Sequence, residues 1–282
     1  MRLNTNISAY IAYENYNTTS NLYQKSLERL SSGLRINSAS DDPSGLAIAD
    51  NLRTQANSVK QSIENANSAI ALTQIADKAM NEQSNIIDII KSKLIQARTA
   101  TTSDDGREAI RKDIVKYIEQ LDNIASQTNY NGISLLQQGS NDNALSNELS
   151  FQIGESASDI IKLNGVRSNS TGLNLTALKN LGEGALTADV AATNMSVLDE
   201  SLNTLNSFRS DFGSTQNQLE SSIRYMMTME TNLRASESTI RDVDYAKEVM
   251  NLNRLKIAME AGMYAIAQAN RIQDMMIKYL FR

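Results

Sequence analysis

Apolar residues recur along most of the chain at alternating spacings of three and four, the period of a helix with one buried face. The pattern starts thin. Leu3, Ile7 and Tyr10 or Ile11 are followed by a polar stretch from Glu14 to Asn21, and then Tyr23, Leu27, Leu30 and Leu34 form a clean stripe. This predicts a helix over residues 1–35 that is marginal alone, because so narrow a stripe buries little surface. INSASDDPSG, residues 36–45, interrupts it. Pro43 and Gly45 stop helices, and Ser or Asp there can cap the next one. From Leu46 to about Thr99 the spacing resumes through Leu52, Ala56, Val59, Ile63, Ala66, Ile70, Thr73, Asp77, Met80, Ser84, Ile87, Lys91, Leu94 and Arg98, a heptad seam with polar interruptions. At about 1.5 Å per residue such a helix reaches roughly 80 Å, a length suited to a rod rather than a globular domain.

TTSDDG, residues 101–106, reads as a turn, and a second helix is predicted over about 107–128 with Ile110, Ile114, Ile118, Leu121 and Ala125 on one face. So short a connection makes an antiparallel helical hairpin. Residues 129–185 change character: seven glycines fall there, and the short runs Glu148–Ile153 and Ile160–Leu163 alternate as small strands do. A long helix follows over about 188–238, with Leu198, Leu202, Leu205, Arg209, Phe212, Gln216, Leu219, Ile223, Met226, Glu230 and Leu233 in the four-three spacing. Its length matches the first long helix, so the two are expected side by side. After a break near Arg234–Arg241, a last helix from about Val243 to Tyr279 shows Leu252, Met259, Gly262, Ile266, Ala269, Gln273, Met276 and Leu280 on one face. The fold class is mainly α: a long helical coiled-coil rod with a small β-hairpin region.

Composition narrows the chemistry. The 282 residues include 1 Pro, which permits very long helices. With no Cys and no His, disulfides, thiolate and imidazole metal sites, and every Ser-His or Cys-His nucleophile are excluded. The acidic pairs Asp41–Asp42 and Asp104–Asp105 lie in turns and read as caps. We therefore expect no enzyme activity, metal or cofactor. A net charge of −5 argues against nucleic acid. The charge is uneven: residues 1–40 carry four bases and two acids, residues 251–282 five and two, which leaves net −10 between them. Ends and middle are expected to face different surroundings. No apolar run approaches the roughly 20 residues that span a bilayer. The first residues, MRLNTNISAYIAYENYNTTS, lack the apolar core of a cleavable signal peptide, so any export is expected to use another route.

Two long segments carry a resemblance. LERLSSGLRINSASDDPSGLAIADNLRTQ, residues 27–55, is similar to the N-terminal signature of bacterial flagellins, and NLRASESTIRDVDYAKE, residues 232–248, to their C-terminal signature. TNYNGISLL, residues 128–136, resembles their link from helices to hairpin. The resemblance covers about 1–136 and 190–282. It implies a non-enzymatic, secreted subunit of the flagellar filament. Residues 1–42 and 243–282 would form an inner terminal coiled-coil domain, and 43–242 an outer rod with the hairpin and loops at about 129–187. Only about 137–189 remain between the conserved halves, so a minimal form without outer variable domains is expected. The partners implied are further copies of itself, an export chaperone, the filament cap and the hook–filament junction proteins. A junction protein, which shares the terminal coiled coil, is the nearest alternative, and an intracellular coiled-coil scaffold a more distant one.

Three sets of residues are candidates for function. Ile7, Leu27, Leu30, Leu34, Leu255, Ile266, Met276 and Leu280 are expected at the inner filament core. Arg35, Asp41, Asp42, Pro43, Arg241, Asp242 and Asp244 cluster at the two breaks and are expected to set register through salt bridges. Asp88, Ile89, Lys91, Lys93, Gln96 and Asp113 match the outer segment by which innate immunity recognises many flagellins. Recognised flagellins have Arg where this chain has Ile89 and Leu where it has Lys93, so weak recognition is expected. That pattern resembles flagellins of the Campylobacter and Helicobacter group. The Ser- and Thr-rich stretches 140–143 and 168–176 are expected as exposed loops open to O-glycosylation.

Overall fold

Helix ends fall where side chains can satisfy the free N–H groups of a first turn. Asn6 accepts from the Ala9 N–H and starts α1, Ile7–Ser32. Gly33, at φ 75°, closes it, and its N–H returns to the Arg29 carbonyl. Asp42 accepts from the N–H groups of Ser44 and Gly45, with Pro43 in the first helical position of α2, Pro43–Arg98. Ser103 caps α3, Asp104–Gln127, by accepting from Gly106. Two antiparallel strand pairs follow: β1, Asn129–Tyr130, with β2, Ile133–Ser134; and β3, Leu149–Gln152, with β4, Ile160–Leu163. A one-turn helix α4, Thr176–Lys179, precedes α5, Ala188–Arg241, and α6, Tyr245–Leu280. The structure, a computed structural model, describes residues 5–138 and 144–280, the last two as backbone only. The 140–143 stretch and the side chain of Leu280 lie outside the described residues.

The chain divides into two compact units, Met1–Ala56 with Thr231–Arg282, and Asn57–Glu230. Helices α2 and α5 contribute residues to both.

The larger unit holds the main core. Met80, Ile87, Ile90 and Leu94 of α2 meet Ile114, Ile118 and Leu121 of α3 and Leu198, Leu205 and Phe212 of α5, all of them buried. The predicted seam of α2 is this face: Val59, Ala66, Thr73, Met80, Ile87 and Leu94 are buried. Arg209 of α5 pairs with Asp77 of α2 at 2.9 Å, which holds the polar interruption of one seam against that of the other. Gln83 is buried and donates to the carbonyls of Leu121 and Ser168, joining α2, α3 and the loop before α4.

The loop at 168–176 corrects an expectation. Ser168, Asn169, Ser170, Leu173 and Leu175 are buried rather than exposed. Asp122 of α3 accepts the N–H and hydroxyl of Ser170 and pairs with Lys179 at 2.6 Å, so the polar residues are held inward while Leu173, Leu175 and Leu178 enter the core.

Candidate assembly surface and joint

In the smaller unit α1 packs along α6. The face of α1 turned to α6 is weakly apolar: Ala9, Ala12, Tyr16, Thr19, Tyr23, Ser26 and Leu30 recur at spacings of three and four and are buried or half-buried. The matching face of α6 runs through Leu252, Leu255, Met259, Gly262, Ile266, Ala269 and Gln273. Tyr16 lies over Gly262, where a Cβ would stand 3.5 Å from the tyrosine, in ordinary contact. Polar contacts hold register at both ends of the pair. Asn6 donates to the Ala269 carbonyl, and Ser26, 1 % exposed, donates to the Glu248 carboxylate, which also accepts from Asn251.

Both helices carry a second apolar stripe on the opposite side, since residues seven apart share a helix face. On α6, Met250, Ile257 and Tyr264 stand seven apart, continued by Ile272 and Met275; Tyr264 is 78 % exposed and Ile257 67 %. On α1, Ile7, Ile11 and Leu22 occupy the face away from α6 and are exposed. A helix apolar on two sides needs cover on both, and an exposed run of this length marks an interaction surface.

The candidate core residues divide accordingly. Leu255 is buried within the chain, and Leu30, Leu34 and Ile266 are half-buried there. Ile7, Leu27 and Met276 are exposed. The stripe Tyr23–Leu27–Leu30 read from hydropathy is rotated in the structure, because Ser26, and not Leu27, faces α6. A search for apolar residues passes over a serine whose partner is a carboxylate.

The two breaks meet in a joint. Leu34 and Asp242 form an isolated antiparallel bridge: the Arg35 N–H donates to the Arg241 carbonyl, and the Val243 N–H to the Gly33 carbonyl. The Arg35 guanidinium donates to the Ile240 carbonyl at the end of α5, where a cation also suits the helix dipole. The expected salt bridges between the breaks are mostly replaced by caps. Asp41 accepts from the N–H groups of Asn37 and Ser38, with Lys25 3.6 Å away. Asp42 caps α2, Asp244 accepts from the Lys247 N–H at the start of α6, and Asp242 accepts from Ser238. Arg241, 3.5 Å from Asp50, makes the one ion pair of the set that joins α5 to α2. Both turn carboxylates titrate low. Burial pushes Asp41 up, but the donors of Ser38 and Asn37 outweigh it; for Asp42 the Gly45 N–H is the main cause, with the Ser44 hydroxyl next.

In the larger unit, Asp88, Ile89 and Gln96 are exposed on α2. Lys91 pairs with Asp199 of α5, and Lys93 with Asp113 of α3 at 3.0 Å. The acid at 113 is thus paired with Lys93. On the other side of α3, Glu108 binds Arg111 and accepts the Gly184 N–H, while Arg111 donates to the Leu181 carbonyl, clamping the segment that leads into α5. Among the described residues, no helix is long and apolar enough to cross a membrane.

Comparison with known proteins agrees with this arrangement. The bacterial flagellin N-terminal helical region matches residues 3–142, and the bacterial flagellin C-terminal helical region residues 195–280. The flagellin of Bacillus subtilis is 32 % identical across 96 % of this chain and 97 % of its own length. The flagellar filament 33 kDa core protein of Treponema phagedenis is 30 % identical across 99 % of this chain and 100 % of its own. Flagellin A of Helicobacter felis is 45 % identical, over 66 % of this chain and 36 % of its own. In fold, the chain is similar to the crystal structure of Bacillus cereus flagellin, with a TM-score of 0.51 and 24 % identity over 62 % of this chain and 94 % of that one. It is also similar to a putative flagellar hook-associated protein from Vibrio parahaemolyticus, with a TM-score of 0.59 and 10 % identity over 72 % of this chain and all of that one. The chain belongs to the bacterial flagellins, and its function is that of a structural subunit of the extracellular flagellar filament.

Proposed function

We propose that polymerisation is driven by the far stripes of α1 and α6, each covered by the terminal helices of neighbouring copies, so that the terminal pair forms the inner layer of the filament and completes its folding on assembly. The observation that carries this reading is the double-sided apolar patterning of α6. The pairing of α1 with α6 leaves most of the side chains between them only half-buried and offsets little of the ordering cost of two long helices. Contact with further copies supplies the rest, which couples folding to binding. Non-identical surfaces meeting head to tail give an open helical polymer rather than a closed ring. The joint fixes the register of the terminal helices through Arg35, Asp41, Asp42, Pro43, Arg241, Asp242 and Asp244. An export chaperone would cover the α6 stripe before assembly, and the filament cap and hook–filament junction proteins would meet the same surfaces at the two ends. The role is purely structural, in keeping with a chain that has no His or Cys.

Ile257→Asp tests the reading. The side chain is exposed in the free chain, so its replacement leaves the helical content and unfolding of the monomer within about 0.5 kcal/mol. Elongation from seeds, followed by sedimentation and electron microscopy, is expected to stop. Filaments of normal yield would sink the proposal.

The outer segment supports a second proposal, weak recognition by the innate flagellin receptor. Ile89 lacks the five donors of an Arg, and Lys93 occupies Asp113. Reporter cells are expected to respond weakly to the monomer. Ile89→Arg with Lys93→Leu is expected to raise the response by an order of magnitude or more, the scale of one charge-assisted contact regained. A full response to the unaltered chain would refute it.

A further inference from the structure

The chain has no Cys and no Trp, so its 11 methionine thioethers are its only sulfur and its most readily oxidised groups. The structure sorts them by access. Met80 and Met226 are sealed in the core. Five of the eleven lie in α6: Met250, Met259, Met263, Met275 and Met276. Met259 is half-buried against α1. Met250, 67 % exposed, and Met275, 50 % exposed, lie instead on the far stripe with Ile257 and Tyr264. Met263 and Met276 of α6 are comparably exposed to either side of that stripe, and Met227 of α5 in the other unit.

We propose that Met250 and Met275 form an oxidation site that admits a subunit to the filament only while both are thioethers. The reactant class is a peroxide. A sulfur lone pair attacks one peroxide oxygen, the O–O bond breaks, and that oxygen stays on sulfur as the sulfoxide. The other oxygen takes up the released proton and leaves as water. Sulfur loses two electrons and the peroxide gains them, so no further reactant is needed. The product carries a strong S=O acceptor in a stripe where assembly excludes water. Burying that acceptor without a donor is costly: Ile257 and Ile272 have no side-chain donor, and the hydroxyl of Tyr264 stands about three turns or more along the helix from either sulfur. The gate acts on free subunits, because neighbours cover the same sulfurs once a subunit has joined. It is reversible by enzymes that reduce methionine sulfoxide. The inference rests on the proposed role of the far stripe as the assembly surface.

The test uses the full-length chain. Purified monomer and preformed filaments are exposed to hydrogen peroxide, quenched, mapped by peptide mass spectrometry, and the monomer is then offered to unoxidised seeds. In the monomer, Met250 and Met275 are expected to gain oxygen well ahead of Met80 and Met226, and elongation to fall roughly tenfold or more, equivalent to about 1.4 kcal/mol. In filaments both sulfurs are expected to be protected. The conservative double variant Met250→Leu, Met275→Leu is expected to elongate normally and to keep doing so after peroxide. If wild-type monomer oxidised at both sulfurs elongates at the untreated rate, or the double variant is arrested equally, the oxidation site is refuted and the assembly surface stands. If both sulfurs oxidise as fast in filaments as in monomer, the assembly reading itself fails.

Discussion

Gly33 ends α1 with φ at 75°, and a Cβ placed there would come within 2.9 Å of the Tyr245 hydroxyl oxygen. The residue is needed for the left-handed turn that returns its N–H to Arg29, whereas the hydroxyl tip of Tyr245, an exposed side chain, can move aside. An alanine there costs roughly 1–2 kcal/mol for the backbone alone. If the joint forms during assembly, that cost appears in the polymerisation equilibrium. Gly33→Ala is expected to raise the critical concentration for elongation about 5- to 30-fold. Measurement of soluble chain left at steady state checks this; an unchanged value would show that the filament does not use the joint in this geometry. Other single residues were less legible. The capping role of Asp42 follows from side-chain chemistry, but Ser26 and Ser170 are buried because Glu248 and Asp122 accept from them. A polar side chain with a partner far away in sequence leaves no local sign of its burial.

Helices α2, α3, α5 and α6 were legible because their apolar spacing repeats over many turns, and their ends lie within a few residues of those expected. Of the short elements, β3 and β4 were legible, since they fall within the alternating runs read at Glu148–Ile153 and Ile160–Leu163; β1, β2 and α4 were not. Strands β1 and β2 have two residues each, too few to alternate; the available signal was Asn131-Gly132, whose φ values of 50° and 80° make the two-residue hairpin turn. The one-turn helix α4 has no side-chain cap to announce it. What holds α3 to the segment before α5 is the clamp of Glu108 and Arg111. The Arg111 guanidinium is the main cause, with the Gly184 N–H next, of a Glu108 carboxyl lowered from 4.5 to about 2. A carboxyl with a lowered folded value stabilises fully above its unfolded value and loses that effect as the pH falls through the folded one. The stability gap between the wild type and Glu108→Gln, read from urea unfolding of the monomer, is therefore expected to be constant from pH 7 to about 5. It should narrow as the pH falls from there toward about 2. A gap that stays constant down to the lowest pH would mean that the carboxylate charge is not what holds the clamp.

Burial is divided unequally over the whole molecule. Nearly all of the buried apolar side chains belong to Asn57–Glu230; from the other unit only Ile36, Ala49, Ala56 and Leu255 join them among the described residues. A unit with so few sealed side chains has little to protect its helical hydrogen bonds from opening, however regular those bonds are. Exposed apolar side chains instead crowd α6, where Val249, Met250, Ile257, Met263, Tyr264, Ile272, Met275 and Met276 meet solvent. Under the proposed assembly, neighbouring copies supply the missing cover. Hydrogen exchange reads this distribution directly. In the monomer, amides of α1 and α6 are expected to exchange fast, and those around Ile90, Ile118 and Leu205 slowly. In filaments the slow set should change little, while α1 and α6 should gain protection along their length, since each then has cover on two sides. Equal protection of both units in the monomer would mean that the terminal helices fold without partners, and assembly would then be docking of finished surfaces rather than completion of the fold.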